Sequence, residues 1–175
     1  MAVIIHMLNK AVFFDRDGTL NVDVGYLFEI EKFEWIEGAR EAIKYCNDNS
    51  YLAIVVTNQS GIARGYYTED DVKLLHNFMQ SELSKIGAHI DAYYYCPHHP
   101  NGVVEAYSID CECRKPKSKL LEMACSDFNI DRENSLMIGD SKRDVECAFN
   151  ANIRGVLFED NNLFTTLKNN LPKEN

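Results

Sequence analysis

The sequence predicts an α/β fold: a Rossmann-like, mostly parallel sheet with helices on both faces, a small flap after the first strand and a zinc-binding loop. Three observations carry this expectation. Apolar strand-like runs alternate with amphipathic helix-like segments along the 175 residues, the pattern of a sheet assembled from strand–helix units. Several of the apolar runs stop abruptly at acidic or hydroxyl residues, as strands do where their carboxyl ends open into ligand-binding loops. A group of cysteines and histidines interrupts the middle of the chain. There is no internal repeat or low-complexity segment, and the length suits one domain, residues 1–175, with a substantial core.

The first strand is expected at about Ala11–Phe14, where Phe13 and Phe14 suit a position buried on both faces. The segment Asn21–Trp35 is too polar and irregular for a core helix. With Gly25 and the aromatics Tyr26, Phe28, Phe33 and Trp35, it reads as a flap over the end of that strand. A helix at about Gly38–Asn47 places Ala39, Ala42, Ile43 and Cys46 on one face. Tyr51–Val56 is the second strand, followed by Thr57-Asn58-Gln59-Ser60-Gly61. Thr68 and Asp71 form a capping box, opening a helix with Val72, Leu75, Met79, Leu83 and Ile86 inward and Gly87 at its end. Ile90–Tyr95 is the third strand. A helix spans about Lys117–Phe128, with Leu120, Leu121, Ala124 and Phe128 inward. The fourth strand, Ser135–Ile138, ends in Gly139-Asp140. A short helix to about Asn150, a strand near Gly155–Phe158 and a terminal helix from Leu163 complete the chain.

Composition excludes some functions. The net charge is −9 and the pI near 5.0, so nonspecific nucleic-acid binding, which needs a basic surface, is not expected. A small anionic substrate stays admissible, because local cations can outweigh the global sign. The N-terminal stretch Met1–Lys10 is apolar but short and lacks the features of a secretory signal. No apolar run approaches the ~20 residues of a membrane span. Cysteines stand at 46, 96, 111, 113, 125 and 147, unevenly placed, which suits a reducing cytoplasm with some thiols bound to metal and others buried.

The chemistry gathers at strand ends. Asp15 and Asp17 follow the first strand, Thr57 the second and Asp140 the fourth, and Lys115 precedes a helix. Each alone has a plainer reading: Asp-x-Asp-Gly and Thr57 as turn residues, Lys115 as a solvated lysine, Asp140 as a turn or cap acid. Acid, hydroxyl, cation and acid at successive ends together suit phosphoryl transfer, which needs positioning and neutralisation of negative charge. Asp15 is the expected nucleophile, forming an aspartyl-phosphate. Asp17 would protonate the leaving alcohol and later deprotonate the attacking water. Asp15, Asp140 and the backbone carbonyl of Asp17 would hold Mg²⁺, a hard ion satisfied by few protein carboxylates. Thr57 would donate to a phosphoryl oxygen and Lys115 would oppose the growing charge. Asp144, three residues after Ser141, forms a second capping box and could also reach the metal or orient Lys115; the capping or supporting role is favoured.

Cys96-Pro97-His98-His99 and Cys111-Glu112-Cys113 bring three thiols and an imidazole to one loop, a donor set for a closed tetrahedral Zn²⁺ site with a structural role. Such a site would place Arg114 and Lys115 near the substrate. The alternative is a set of buried free thiols, the reading taken for Cys46, Cys125 and Cys147.

Asp15-Arg16-Asp17-Gly18-Thr19, Thr57-Asn58-Gln59-Ser60, Lys115 and Gly139-Asp140 resemble the four motifs of the haloacid dehalogenase phosphatase superfamily, over about residues 11–158. Asp-Arg-Asp-Gly-Thr and Thr-Asn-Gln-Ser-Gly-Ile-Ala-Arg-Gly are similar to the branch that contains heptose bisphosphate phosphatases and histidinol-phosphate phosphatases. The resemblance implies the same nucleophile and acid/base. It implies Cys96, His98, Cys111 and Cys113 as zinc ligands, with His99 a loop contact. It also implies substrate contacts at Asp23, Val24, Gly25 and Tyr26, at Asn58, Gln59 and Ser60, and at the phosphate-binding pair Arg114 and Lys115. Arg114 would clamp a second, non-reacting phosphate, and Arg64 would either support its loop or lie solvated.

There are departures. Pro116-Lys117 follows Lys115 where heptose enzymes often have Pro-Gly, and Ser141-Lys142 follows Asp140 where some carry lysine directly. The expected activity is Mg²⁺-dependent removal of the 7-phosphate of D-glycero-D-manno-heptose 1,7-bisphosphate in cell-envelope (lipopolysaccharide) precursor synthesis. The expected protein is a cytoplasmic monomer with a small-molecule partner and no nucleic acid or membrane. Histidinol phosphate is the alternative substrate, and a zinc-stabilised binding module without catalysis the alternative class.

Overall fold

A computed structural model describes residues 8–172. Most of the apolar N-terminal stretch, residues 1–7, lies outside the described residues. Five parallel strands form one sheet: β1 (Lys10–Phe14), β2 (Tyr51–Asn58), β3 (Ala92–Cys96), β4 (Leu136–Gly139) and β5 (Arg154–Leu157), in the order β3-β2-β1-β4-β5. The chain runs outward from β1 through β2 to β3, then crosses to the other side of β1 to place β4 and β5. The switch point therefore lies at the carboxyl ends of β1 and β4, where open parallel sheets form their ligand crevices.

Strand alternation explains why β1 is apolar from Ala11 to Phe14. Val12 and Phe14 face one core, Ala11 and Phe13 the other, and all four are fully buried. Helices α1 (Ala39–Asp48), α2 (Glu69–Ser84) and α5 (Leu163–Asn170) cover the first face, packing Ala42, Ile43, Met79, Leu83, Leu163 and Leu167 against β1, β2 and β4. Helices α3 (Lys119–Asp127) and α4 (Lys142–Asn150) cover the second, with Leu120, Leu121, Ala124, Cys147 and Ala148. Cys46, Cys125 and Cys147 are buried free thiols, as expected. Among the described residues no helix is long and apolar enough to cross a membrane.

Both capping boxes form. Thr68 accepts from the Asp71 backbone and Ser141 caps α4 together with Asp144. The inner face of α2 is Val72, Leu75, Met79 and Leu83, with His76 among them. Ile86 departs from the expected stripe. The helix ends at Ser84, two residues before Ile86, which is consequently exposed, and Gly87 closes the turn at φ +67°. Phe128 likewise falls after the end of α3 and is half-buried against the second core.

The flap is an excursion pinned at its base. Asn21 bridges to both Asp17 and Trp35, and Leu20 and Leu27 are buried beneath it. A short 3₁₀ turn (Ile30–Lys32) precedes Phe33 and Trp35, whose rings pack edge to face, and Phe28 stacks on Tyr67 from the loop after β2.

Candidate active site

The backbone turns sharply after β1, and Gly18 takes φ +83°. A side chain there would fall 2.2 Å from the Asp140 carboxylate, so the glycine lets the β1 loop lie directly against the end of β4. Asp15 and Asp140 thereby meet, and α4 brings Asp144 beside them. One carboxylate oxygen from each of the three lies within 4.8 Å of the others.

Lys115 organises this group. It is buried, and its ammonium lies 2.8 Å from Asp15 Oδ1 and 2.6 Å from Asp144 Oδ1 while donating to the Val56 carbonyl at 2.8 Å. Three acceptors match the three protons of an ammonium. Burial acts against its charge, but the two carboxylates outweigh burial and raise its pKa. Burial pushes Asp15 up to about 6; Lys115 opposes the rise and Asp144 adds to it. Asp140 is raised by burial and then by Asp144. Asp144 combines both supporting roles considered for it: one oxygen accepts the Ser141 N–H at 3.0 Å, and the other holds Lys115.

Asp17 turns away from the cluster. Its carboxylate pairs with the Arg16 guanidinium at 3.0 Å and accepts from Asn21 Nδ2 at 3.1 Å and Gln59 Nε2 at 2.9 Å. Burial would raise its pKa, but Arg16 and these hydrogen bonds prevail and hold it below the usual carboxylate range. Arg16 is fully buried. It also donates to the Leu27 carbonyl and Gln59 Oε1, and its Nη1 lies 3.4 Å from His76 Nε2. Burial and the Arg16 charge push His76 down to about 3, so the ring is neutral; it stacks on Tyr93.

The expected substrate residues divide. Asp23, Gly25, Tyr26, Asn58 and Ser60 line the same cleft of about 350 Å³ as Asp15, Asp17, Thr57, Arg114, Lys115 and Asp140. Gln59 does not line it. Its amide is buried, donating to Asp17 and Thr57 and accepting from Tyr67. Val24 is half exposed on the outer side of the flap. Asn58 also works on the backbone. Its side chain exchanges hydrogen bonds with the backbone N–H and carbonyl of Lys115, at 3.0 and 3.2 Å. Sequence reasoning missed Arg143 and Tyr67, which line the cleft, and His76. Their only sequence signals were a lone arginine in a first helical turn, an aromatic in a loop and a histidine on an apolar helix stripe.

Below the cleft, Cys96, His98, Cys111 and Cys113 converge. The sulfur–sulfur distances are 3.0–3.3 Å, and His98 Nδ1 lies 3.3 and 3.8 Å from Cys113 and Cys96. A tetrahedron with Zn–S bonds of ~2.3 Å has edges of ~3.8 Å, so the donor set fits a closed zinc site with a small expansion. His99 points away and meets Arg64 at 3.1 Å. Arg114 follows Cys113 directly and donates to the His98 carbonyl.

Comparison with known proteins agrees with this geometry. A HAD-hydrolase-like family model matches residues 112–164. The chain is 44% identical over 147 residues to the D-glycero-beta-D-manno-heptose-1,7-bisphosphate 7-phosphatase of Haemophilus influenzae, covering 84% of this chain and 79% of that one. It is 46% identical to the protein of the same name from Haemophilus ducreyi, covering 85% and 81%. Among solved structures, the D,D-heptose 1,7-bisphosphate phosphatase from B. bronchiseptica, complexed with magnesium and phosphate, superposes with a TM-score of 0.78 at 28% identity, covering 94% of this chain and 89% of that one.

Proposed function

The chain belongs to the D-glycero-beta-D-manno-heptose-1,7-bisphosphate 7-phosphatases, a family of HAD-like hydrolases, and on that premise we propose that it removes the 7-phosphate of a heptose 1,7-bisphosphate through an aspartyl-phosphate. The observation that carries the reading is Lys115, buried and bonded to both Asp15 and Asp144 at the switch point of the sheet.

Asp15 attacks phosphorus as its carboxylate; the bond between phosphorus and the sugar oxygen breaks, and Asp17 gives that oxygen a proton. Water then attacks the aspartyl-phosphate, Asp17 takes its proton, and phosphate leaves with Asp15 restored. The Arg16 pair keeps resting Asp17 ionised, the state needed for the water step. The anionic ester arriving beside Asp17 raises its proton affinity, the state needed for the first step. Thr57 donates to the transferring phosphoryl group, and Lys115, its protons held by Asp15, Asp144 and Val56, balances the developing charge through space. Asp23, Gly25, Tyr26 and Ser60 bind the sugar, with Asn58 both lining the cleft and holding the Lys115 backbone. Arg114 binds the phosphate that does not react.

The donor chemistry at Asp15, Asp140 and the Asp17 carbonyl fits Mg²⁺, because Asp144 is already engaged by Lys115 and the helix cap. When bound, Mg²⁺ neutralises charge between the attacking carboxylate and the phosphoryl oxygens. Zinc at Cys96, His98, Cys111 and Cys113 fixes the loop that carries Arg114 and Lys115. The free thiols and this ligand set support a reducing, cytoplasmic setting. The enzyme is read as a monomer of one domain, serving lipopolysaccharide precursor synthesis.

The test is phosphate release from heptose 1,7-bisphosphate and from histidinol phosphate, with wild type and Asp15→Asn. Preference for the bisphosphate, and loss of at least about a thousandfold in kcat in the variant, are expected. Preference for histidinol phosphate would overturn the substrate, and an unimpaired variant would overturn the nucleophile.

A further inference from the structure

Three arginines line the cleft from three separate elements: Arg64 from the loop after β2, Arg114 from the cysteine loop and Arg143 from the first turn of α4. Among the described residues, none has a carboxylate within salt-bridge distance. Arg64 meets the His99 ring at 3.1 Å, and its Nε is buried without a partner. Arg114 reaches only the His98 carbonyl. Guanidiniums lining one cleft repel, and a chain with net charge −9 has carboxylates enough to pair them. Three guanidiniums without such partners, facing a shared polar cavity, make an anion site.

The geometry points to Arg143 as a specificity-determining residue that, together with Arg114 and Arg64, seats the non-reacting phosphate of a bisphosphorylated sugar. Lys142, the lysine nearest Asp140 in sequence, does not serve here. It borders a different surface groove with Val145, Phe149 and Leu157. Its neighbour Arg143 supplies the positive charge on the cleft side of α4, so one helical position decides which cation reaches the substrate. Asp15 and Lys115 act on the transferring phosphoryl group, and the arginine seat acts on the rest of the ester. The two jobs fall to different residues of one cavity.

The inference rests on the phosphatase reading but not on heptose as the sugar. Arg143 is exposed at a helix start, so replacement should leave the fold intact. Wild type, Arg143→Ala and Arg143→Lys are assayed on sugar bisphosphates, heptose 1,7-bisphosphate and fructose 1,6-bisphosphate included, and on the matching monophosphates that lack the non-reacting group. The alanine variant is expected to lose about ten- to a hundredfold in kcat/KM on the preferred bisphosphate, the size of one charge-assisted contact. It should stay within about twofold of wild type on the monophosphate, and the lysine variant should recover part of the loss. Equal losses on both substrate types would overturn the proposal in favour of an effect through Asp140. An unchanged bisphosphate rate would overturn it in favour of a solvated arginine. A wild type that prefers monophosphates throughout would remove the seat altogether. A preference for a bisphosphate other than heptose, still sensitive to Arg143, would refute the sugar assignment and leave the seat standing.

Discussion

Gln59 shows how much one amide can organise. It touches Asp17, Thr57, Tyr67 and Arg16 at once, joining the proposed acid/base, the hydroxyl proposed to bind the phosphoryl group and the buried cation. Gln59→Leu keeps the shape and removes every one of these bonds, so kcat should fall about a hundredfold with little change in KM; steady-state kinetics beside a circular dichroism spectrum would check this. His76 gives a pH signature. Its pKa is about 3 in the fold against ~6.5 unfolded, so below pH ~6.5 the unfolded chain binds the extra proton and stability falls with pH. From pH 7 to 5 this histidine should cost about 2 kcal/mol. Denaturant unfolding at both pH values should show a smaller loss for His76→Gln than for wild type. Asp15 and Asp140 were legible as acids at strand ends, and the Cys96, His98, Cys111 and Cys113 cluster by its donor set. Gln59 was read as a substrate contact and Arg16 only as a motif letter, because most of the groups they bond come from distant positions. His76 was hidden by its helix stripe, since a neutral, stacked histidine occupies a core position as an apolar residue would.

Elements were read more fully than side chains, because their signals are local. The Thr68–Asp71 box marked the start of α2 to the residue, and Thr68→Ala should destabilise the protein by about 1 kcal/mol, measurable as a lowered denaturant midpoint without loss of turnover. Ile86 was misplaced because helix period alone cannot tell the last helical turn from the turn beyond it, and α2 stops at Ser84. Sheet order was not legible. The sequence displays which strands end in acids, but only the crossing of the chain from β3 to β4 puts Asp15 and Asp140 on adjacent strands. Both capping boxes serve their helices, yet Asp144 also holds Lys115, so its replacement by Asn should reduce turnover as well as stability.

At the scale of the molecule, the cysteine loop leaves the sheet at Cys96, the last residue of β3. If the proposed zinc is bound, chelation that strips it should lower the melting temperature and depress turnover in a way that added Mg²⁺ alone does not restore, because Arg114 and Lys115 follow directly on Cys113; metal analysis before and after the treatment ties the effect to the ion. The two cores share one sheet, so the metal-loaded protein should unfold in a single calorimetric transition. The pairing around Lys115 and Arg16 has a consequence for what the cleft can hold. Asp15, Asp17, Asp140 and Asp144 are answered by only two enclosed cations, which leaves a deficit of two charges when all the acids are ionised. A divalent ion cancels that deficit, whereas an incoming ester adds to it. The Asp15 side of the cleft therefore holds a reacting phosphate poorly without a divalent cation, while Arg64, Arg114 and Arg143 keep the same cleft attractive to the rest of the ester.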